Sequence, residues 1–397
     1  MIEICTLGLS LGSGNKGCEA LAYSFLELLE DIAAERNEII KVNFLKPFPT
    51  RQVIKKHSVK KTKSKNYPQK SYEHLRFDCK YYLNKKQKIF FINSIKSSVC
   101  VFDYTDGDSF TDIYGQERFF SRTAVKKAVI DKGIPLILGS QTIGPFNDTK
   151  VRKLAVEVIK NSAEVYVRDR MSCDYTKKIS GRTPKLTSDI AFALPFERKN
   201  AVPGNKPKFG INPSGLLWNG GYTKDNQFGL TVEYRDYCRG VIKALSESWE
   251  IHLIPHAFKT DNSASADNDL DAVKALHSEY PETVIAPIPK TPTEVKSYIA
   301  EMDVFCGARM HATIGAFSAG VPVIPFSYSR KFEGLFESLS YGYVINGKEC
   351  TTQEAIAKTV EYVNRRGELK TDMAEGQRLI NESNTFIKSE IEKQIFS

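Results

Sequence analysis

The sequence lacks three features that would place the protein in a specialised class. It has no apolar run of the length that a membrane span requires. Its start, MIEICTLGLSLGSG, has no basic region ahead of an apolar stretch, so we expect no secretory signal. No two of its eight cysteines form a Cys-x-x-Cys pair, and the nearest two lie 13 residues apart, which argues against a zinc site and a disulfide framework. These absences predict a cytoplasmic protein without a bound metal.

The length of 397 residues favours two domains over one. Short β-rich apolar runs alternate with amphipathic helical stretches, which predicts a parallel α/β fold with two Rossmann-like domains facing a cleft. The polar stretch ERKNAVPGNKPK is the best linker, so we place the domains at residues 1–195 and 208–397. The last thirty residues predict one charged helix, and one interpretation is that it packs back on the N-terminal domain.

The net charge of +9 is concentrated in residues 51–88, which hold 13 Lys or Arg and only two acids. Such a block favours an anionic partner, such as a lipid headgroup at the inner face of the membrane. A solvated lysine-rich surface is the alternative. No nucleic-acid module accompanies the block, so we expect no nucleic-acid partner.

A glycine loop, Gly12-Ser13-Gly14-Asn15-Lys16-Gly17, follows the first predicted strand and matches G-x-G-x-x-G. Such a loop can hold a pyrophosphate at a helix N-terminus, but alone it is a weak signal. A dinucleotide site also needs an acid at the end of the second strand, and here that strand ends in Leu45-Lys46-Pro47. We therefore assign Gly14, Asn15 and Lys16 to the binding of an acceptor substrate, meaning the molecule that receives a transferred group. The alternative is a tight turn that packs the helix against the strand.

The segment Arg309-Met310-His311 is the most informative one, because it follows a buried strand and opens a helix of small residues. Ligands of open α/β sheets bind beyond the carboxyl ends of the strands, where a helix N-terminus stabilises anions. Arg309 supplies a fork suited to phosphate or carboxylate, and His311 is positioned to donate a proton. The alternative is a helix-capping arginine with a hydrogen-bonded histidine.

Other polar residues also follow predicted strands and are candidates for the same cleft. Each has a plainer alternative, such as a surface ion pair or a tight turn, and Asp106 and Asp108 could bind sugar hydroxyls, act as a base or shape a turn. A lone carboxylate pair without histidine predicts no metal site. These candidates are Arg168, Ser172 and Lys331 for an anionic substrate, Gln141, Thr142, His256 and Tyr328 for an acceptor, and Asp106 and Asp108 for catalysis.

Taken in order, these motifs resemble the polysaccharide pyruvyl transferases. The resemblance spans roughly residues 5 to 340, and its most specific part is RMHATIGAFSAGVPVI. The other motifs are GSGNKG, SQTIGPF, VYVRDRMS, TSDIAFALP and SYSRKFEGLFESL. The sequence departs from the family at Asp106-Gly107-Asp108, where family members often have a glycine-rich turn.

The resemblance implies a two-domain fold of the type called GT-B and a reaction without a cofactor. Family members transfer the enolpyruvyl group of phosphoenolpyruvate to two hydroxyls of a sugar, forming a cyclic ketal and releasing phosphate. By the matching motifs, Arg168, Arg309 and His311 are similar to the donor-binding and catalytic residues. We expect His311 to act as general acid, the two arginines as anion contacts, and Asp106 or Asp108 as base.

The expected acceptor is a sugar in a precursor of a bacterial capsule or exopolysaccharide, and a diphosphate-linked lipid carrier would match the basic segment. Two alternatives remain. One is a GT-B glycosyltransferase with a nucleotide-sugar donor, and the other is a non-catalytic glycan- or lipid-binding protein.

Overall fold

The computed structural model describes residues 1–47, 73–82, 95–198, 206–258, 265 and 267–397. Its contacts divide these residues into two units. The first unit comprises residues 1–12, 21–190 and 383–397, and the second comprises residues 13–20 and 191–382. Most of the basic segment, residues 51–72 and 83–88, lies outside the described residues.

A seven-stranded parallel sheet forms the centre of the first unit, in the order β3-β2-β1-β4-β5-β6-β7. Its strands are β1 (Ile2–Leu7), β2 (Ile40–Pro47), β3 (Leu75–Tyr82), β4 (Val101–Asp103), β5 (Leu136–Gln141), β6 (Glu164–Val167) and β7 (Lys185–Leu186). Its helices are α1 (Lys16–Arg36), whose first turn groups with the second unit, α2 (Gln116–Ile130), α3 (Thr149–Asn161) and α4 (Arg170–Ser180).

The second unit has a six-stranded parallel sheet in the order β10-β9-β8-β11-β12-β13. As in the first unit, the chain begins with a central strand and adds strands first on one side and then on the other. Its strands are β8 (Lys208–Asn212), β9 (Glu250–Leu253), β10 (Val284–Ile285), β11 (Val304–Gly307), β12 (Val323–Ser327) and β13 (Ile345–Asn346). Its helices are α5 (Gly215–Trp218), α6 (Tyr234–Leu245), α7 (Asp269–Glu279), α8 (Pro292–Ile299), α9 (Met310–Ser318), α10 (Arg330–Ser338), α11 (Thr352–Asn364) and α12 (Arg366–Phe396), whose residues from 383 onward group with the first unit.

Both sheets confirm the predicted α/β class with two Rossmann-like domains. In each sheet the strand order reverses once, between β1 and β4 in the first unit and between β8 and β11 in the second. Ligands of such sheets bind beyond the carboxyl ends of the strands at this reversal. By this rule, the candidate ligand site of each unit lies at its reversal.

Buried aromatic side chains fill the core of each unit. In the first unit, Phe110 packs at 5.3 Å from Phe146 and 6.0 Å from Phe119, measured between ring centroids. In the second unit, the ring of Phe326 on β12 lies 4.8 Å from that of Tyr237 on α6. Each such side chain contributes roughly 1.5–3 kcal/mol when it is fully buried, so these contacts hold the helices against their sheets.

Strand β3 is an element that the sequence analysis missed. It lies inside the basic segment, where Arg76, Asp78 and Lys80 interrupt the apolar pattern of a buried strand. It pairs with β2 at the edge of the first sheet, a position that tolerates charged side chains. The charge pattern therefore did not predict this strand, which is recognised from its pairing with β2.

The grouping of residues 13–20 differs from the domain limits predicted at 1–195 and 208–397, whereas that of residues 383–397 follows the interpretation that the last helix packs back on the N-terminal domain. Residues 13–20 belong to the second unit, because the carbonyl of Gly14 accepts from the Phe258 N–H at 3.0 Å. Residues 383–397 belong to the first unit, where the Glu390 carboxylate accepts from the Tyr166 hydroxyl at 2.7 Å. Among the described residues, no helix is both long and apolar enough to span a membrane.

Candidate active site

The candidate site of the second unit is built where β8 and β11 end side by side. Asn212 ends β8, and its side-chain oxygen accepts from the backbone N–H of Arg309 at 3.1 Å. Arg309 is the N-cap of α9, so this hydrogen bond fixes where the helix begins. The segment that the sequence singled out therefore lies at the sheet's reversal point.

The Arg309 guanidinium is buried and held by two carboxylates. Its Nη2 lies 2.6 Å from Asp269 Oδ1, and its Nη1 lies 2.5 Å from Asp267 Oδ1. Burial works to lower the pKa of Arg309, but the carboxylates of Asp269 and Asp267 raise it above its ordinary value. The arginine thus remains charged, and its charge is balanced within the unit.

Asp269 joins the strand ends of this unit, although the sequence analysis did not select it. Its fully buried carboxylate accepts from the backbone N–H groups of Gly215 at 2.8 Å, His256 at 3.0 Å and Ala257 at 2.9 Å. Burial works to raise its pKa, but Arg309 and these hydrogen bonds lower it. The sequence did offer a local signal for this residue, because Asp269 is the first residue of α7 and follows the N-cap Asn268.

The glycine loop packs against the end of β9. Lys16 N–H donates to the His256 carbonyl at 3.0 Å, next to the bond between Gly14 and Phe258. Gly14 has φ +81°, and a Cβ there would lie 2.6 Å from the Phe258 carbonyl oxygen. Only glycine permits this approach.

The polar side chains of the loop bind other parts of the same unit. Asn15 caps α1, its Oδ1 accepting from the Gly17 N–H at 3.0 Å. The Lys16 ammonium donates to Glu19 at 2.9 Å and to the Lys290 carbonyl at 2.8 Å. The assignment of Gly14, Asn15 and Lys16 to an acceptor stays a prediction, and these contacts account for both side chains structurally.

His311 and His256 lie on neighbouring segments of this site. His311 is in the first turn of α9, and its Nδ1 lies 2.5 Å from the point where a Cβ on Gly17 would be. Burial lowers the pKa of His256 to about 3, and the positive charges of His311, Arg309 and Lys16 add to this. His256 is therefore a neutral imidazole beside His311.

Tyr328 and Lys331 follow β12 on the same side of the sheet. The Tyr328 ring lies 4.9 Å from that of Phe228 and 5.6 Å from that of Phe332. Lys331 lies in the first turn of α10. The second unit thus contains eight of the predicted residues: Gly14, Asn15, Lys16, His256, Arg309, His311, Tyr328 and Lys331.

The first unit holds the remaining predicted residues beyond the ends of β4, β5 and β6. Arg168 follows β6, and its Nη1 lies 2.5 Å from the Asp189 carboxylate, while its Nε donates to Thr142 Oγ1 at 2.9 Å. Burial works to lower the pKa of Arg168, but the carboxylates of Asp189 and Asp108 raise it. Like Arg309, this arginine is buried and paired with a carboxylate.

Asp169 links the loop after β5 to the start of α4. It is the N-cap of α4 and accepts from Ser172 N–H at 2.7 Å and from Thr142 Oγ1 at 3.1 Å. Gln141, at the end of β5, donates from its side chain to the Asp103 carbonyl at 2.7 Å. Ser172, Thr142 and Gln141 are therefore neighbours in this structure and support its loops.

Asp106 and Asp108 have different surroundings. Asp106, with φ +55°, accepts from Arg122 at 2.8 Å and from Arg118 at 3.2 Å. Asp108 accepts from the Tyr114 hydroxyl at 3.0 Å. Neither arginine was predicted from the sequence, where their spacing of four residues on α2 was the available signal.

The donor-binding pair predicted from the family resemblance is divided between the units, with Arg168 in the first and Arg309 in the second.

In the part of the chain that the structure describes, no group of three or more His, Cys, Asp or Glu side chains is arranged to hold a metal ion.

A comparison with known families finds one that matches most of the chain. The family described as polysaccharide pyruvyl transferase matches residues 15–330, from the glycine loop to the start of α10. The chain belongs to the polysaccharide pyruvyl transferase family. No curated protein matches the sequence of this family member.

Solved structures similar to this pyruvyl transferase family member show its fold. A putative UDP-N-acetylglucosamine 2-epimerase from Listeria monocytogenes is 12% identical with a TM-score of 0.58, and the match covers 98% of this chain and 94% of that one. A UDP-GlcNAc 2-epimerase from Neisseria meningitidis, bound to UDP-GlcNAc, is 13% identical with a TM-score of 0.55, covering 99% and 100%. An alpha,alpha-trehalose-phosphate synthase (UDP-forming) from Burkholderia vietnamiensis is 5% identical with a TM-score of 0.53, covering 98% of each chain. These likenesses confirm the predicted GT-B-like fold.

Proposed function

We propose that the protein transfers the enolpyruvyl group of phosphoenolpyruvate to two hydroxyls of one sugar in a polysaccharide precursor. The product is a cyclic pyruvate ketal, and inorganic phosphate is released. Membership of the pyruvyl transferase family supports a transferase of this kind. The donor and the ketal chemistry are the part that we propose.

The position of His311 is the observation that carries the proposal. The residue lies in the first turn of α9 and against Gly17 in the first turn of α1. Helix N-termini carry partial positive charge and free N–H groups, which favour an anion such as the donor phosphate. A donor bound there would place its methylene carbon within reach of the imidazole.

The reaction then follows from the donor's chemistry. His311 protonates the methylene carbon, which becomes a methyl group, and C2 gains oxocarbenium character. The first sugar hydroxyl forms a bond to C2 and loses its proton, which replaces the one that His311 gave. The C–O bond to phosphate breaks, the second hydroxyl attacks C2, and its proton leaves with the phosphate. No cofactor enters this balance.

Arg309 has a structural part in this proposal. Because Asp267 and Asp269 hold its guanidinium and Asn212 holds its backbone, it fixes the start of α9 and so the position of His311. Because these two carboxylates balance its charge, the direct donor contact expected of Arg309 stays a prediction from the family resemblance. The donor-binding role of Arg168 and the catalytic roles of Asp106 and Asp108 stay predictions from the family resemblance and the sequence.

The test is incubation with phosphoenolpyruvate and a panel of sugar acceptors, followed by mass spectrometry and a phosphate assay. We expect a product heavier than the acceptor by pyruvate less water, with one phosphate released for each product. His311→Ala should abolish the product, whereas His277→Ala, on α7, should not. If no acceptor gains this mass, the proposal is wrong.

The same experiment separates the two alternatives. Release of a nucleoside diphosphate from a nucleotide sugar would identify a glycosyltransferase. Glycan binding that persists in His311→Ala, with no turnover in either protein, would identify a non-catalytic binding protein.

A further inference from the structure

The second unit contains a cavity of about 350 Å³ that the predicted active-site residues do not line. One wall is the loop of residues 219–233, which joins α5 to α6, and the other is the first turn of α6. This volume lies in the range of pockets that bind small molecules.

The loop of residues 219–233 is ordered by its own hydrogen bonds. The Asn226 side chain donates to the Leu230 carbonyl at 2.8 Å and accepts from the Leu230 N–H at 2.9 Å. Gln227 accepts from the Tyr222 N–H at 2.8 Å. Lys224 and Asn226 both have positive φ, at 64° and 58°. A compact loop that closes on itself in this way presents a preformed wall, which lowers the entropic cost of binding.

The cavity lining includes two exposed cations, Arg235 and Lys224, together with the carboxylates of Glu233 and Asp236. Arg235 Nε donates to the Trp218 carbonyl at 2.7 Å, and the guanidinium lies 5.2 Å from the centre of the Trp218 ring. These contacts fix the side chain and leave its two terminal NH₂ groups available. Within the described ranges, neither Arg235 nor Lys224 forms an ion pair, whereas Arg239 of the same lining pairs with Glu279 at 2.7 Å.

The rest of the lining suits a sugar. The Glu233 carboxylate can accept hydrogen bonds from hydroxyls, and Phe228 offers an aromatic ring for the apolar face of a pyranose. The paired fork of an arginine and the point charge of a lysine are suited to a carboxylate or a phosphate. The chemistry of the lining therefore matches a saccharide that carries a negative charge.

The loop also contacts the candidate active site. The Phe228 ring packs on Tyr328, and the Tyr222 hydroxyl lies 3.5 Å from the Asp267 carboxylate, which holds Arg309. A saccharide in the cavity would therefore lie beside the residues to which we assign the reaction.

We propose that this cavity binds an anionic sugar residue, a uronate or a sugar phosphate, of the polysaccharide precursor. The assignment to the precursor rests on the proposed function, whereas binding of an anionic sugar does not. The cavity would then select the acceptor chain by a charged residue near the one that is pyruvylated.

The experiment is titration of the full chain with D-glucuronate, D-glucose 6-phosphate, D-glucose and inorganic phosphate, observed by saturation-transfer NMR and calorimetry. We expect the two charged sugars to bind and glucose to bind at least about tenfold more weakly, because glucose lacks the group that would form a charge-assisted hydrogen bond. Lys224→Gln and Arg235→Gln should each weaken the charged sugars by about tenfold. Lys243→Gln, an exposed lysine of the same helix α6 outside the cavity, should leave binding unchanged.

Equal affinity for glucose and glucuronate would overturn the proposal, and so would unchanged binding in both cavity variants. Inorganic phosphate that binds as tightly as glucose 6-phosphate would show an anion site without sugar recognition, and would also overturn it. Charged sugars that bind to a protein without phosphoenolpyruvate turnover would leave the cavity supported and refute only the proposed function. Pyruvylation by a protein that binds none of the charged sugars would support the proposed function and refute the assignment of the cavity.

Discussion

Gly17 lies directly against the imidazole of His311. A Cβ added to Gly17 would come within 2.5 Å of His311 Nδ1 and 3.0 Å of His311 Cβ. Real Cβ atoms do not approach other atoms so closely, so the imidazole can occupy this position only because residue 17 is glycine. The last glycine of the predicted G-x-G-x-x-G motif therefore serves the proposed general acid.

We predict that Gly17→Ala lowers turnover by about a hundredfold while the protein stays folded. The added methyl group displaces His311, and a shift of about 1 Å in a catalytic group costs on this order. Alanine itself favours a helix by about 0.5–1 kcal/mol over glycine, so stability should not fall greatly. The measurement is phosphate release from phosphoenolpyruvate together with a thermal melt.

The matched control is Gly367→Ala in α12, where an added Cβ would meet no atom within 4 Å. This variant should keep full activity. If Gly17→Ala is as active as Gly367→Ala, the contact with His311 has no bearing on catalysis.

A second prediction concerns Asp269, which we expect to be essential for the stability of the second unit. Asp269→Asn leaves the buried Arg309 guanidinium short of its main partner, and breaking a buried ion pair costs about 3–5 kcal/mol. Asp267→Asn should cost about 1 kcal/mol or less, because the Asp267 side chain is 24% exposed. Urea unfolding observed by tryptophan fluorescence measures both, since Trp218 and Trp249, the two tryptophans of the chain, lie in this unit. If Asp269→Asn and Asp267→Asn lower the free energy of unfolding equally, the prediction that Asp269 is the main partner of Arg309 is wrong.

A third prediction follows from Lys296, a buried lysine of α8 whose ammonium donates to the Leu194 carbonyl. Burial lowers its pKa from 10.5 to about 7. The unfolded chain therefore binds more protons than the folded one between about pH 7 and pH 10.5, so the free energy of unfolding rises with pH across this window. The full rise is on the order of 5 kcal/mol.

Lys296→Met tests this dependence, because methionine does not titrate. The variant should be more stable than the natural protein at pH 6, and the difference should shrink as the pH rises to 10. Lys274→Met, an exposed position on α7, is the control and should show a constant difference. A difference between Lys296→Met and the natural protein that does not change with pH would contradict the lowered pKa.

Local patterns account for the part of the fold that the sequence predicted. The alternation of strands and helices gave both sheets, and the small residues after His311 gave α9 and its position after β11. Patterns of this kind depend on neighbours within a few residues. They fail for β3, whose sequence LRFDCKYY carries three charged residues and which is recognised from its pairing with β2.

The parts that were missed depend on contacts between distant residues. Asn15 pairs with Ala257 in an isolated β-bridge, and the glycine loop therefore groups with the second unit. No local sequence pattern connects these two residues. In the same way, Arg118 and Arg122 meet Asp106 only because the turn after β4 folds toward α2. The candidate residues were therefore found one by one, whereas their partners and their grouping required the structure.

A fourth prediction concerns the charge of His256, which the sequence analysis assigned to acceptor binding. Its imidazole is 3% exposed, and its pKa is lowered to about 3, chiefly by burial and then by the positive charges of His311, Arg309 and Lys16, against the opposing effect of Asp269. The side chain should therefore stay neutral from pH 5 to pH 8, where it can exchange hydrogen bonds with a ligand but cannot supply a charge to an anionic donor.

Proton NMR of the histidine ring signals measures this, with His256→Gln to assign the resonance. We expect a shift that does not move between pH 5 and pH 8. The folded pKa lies below the unfolded value of about 6.5, so the neutral residue favours the folded state above that pH. This contribution is lost as the pH falls toward 3, and His256→Gln should weaken the acid sensitivity of the second unit. A titration midpoint near 6.5 would show that water or a mobile segment reaches the ring, and His256 would then become a candidate for the proton donor beside His311.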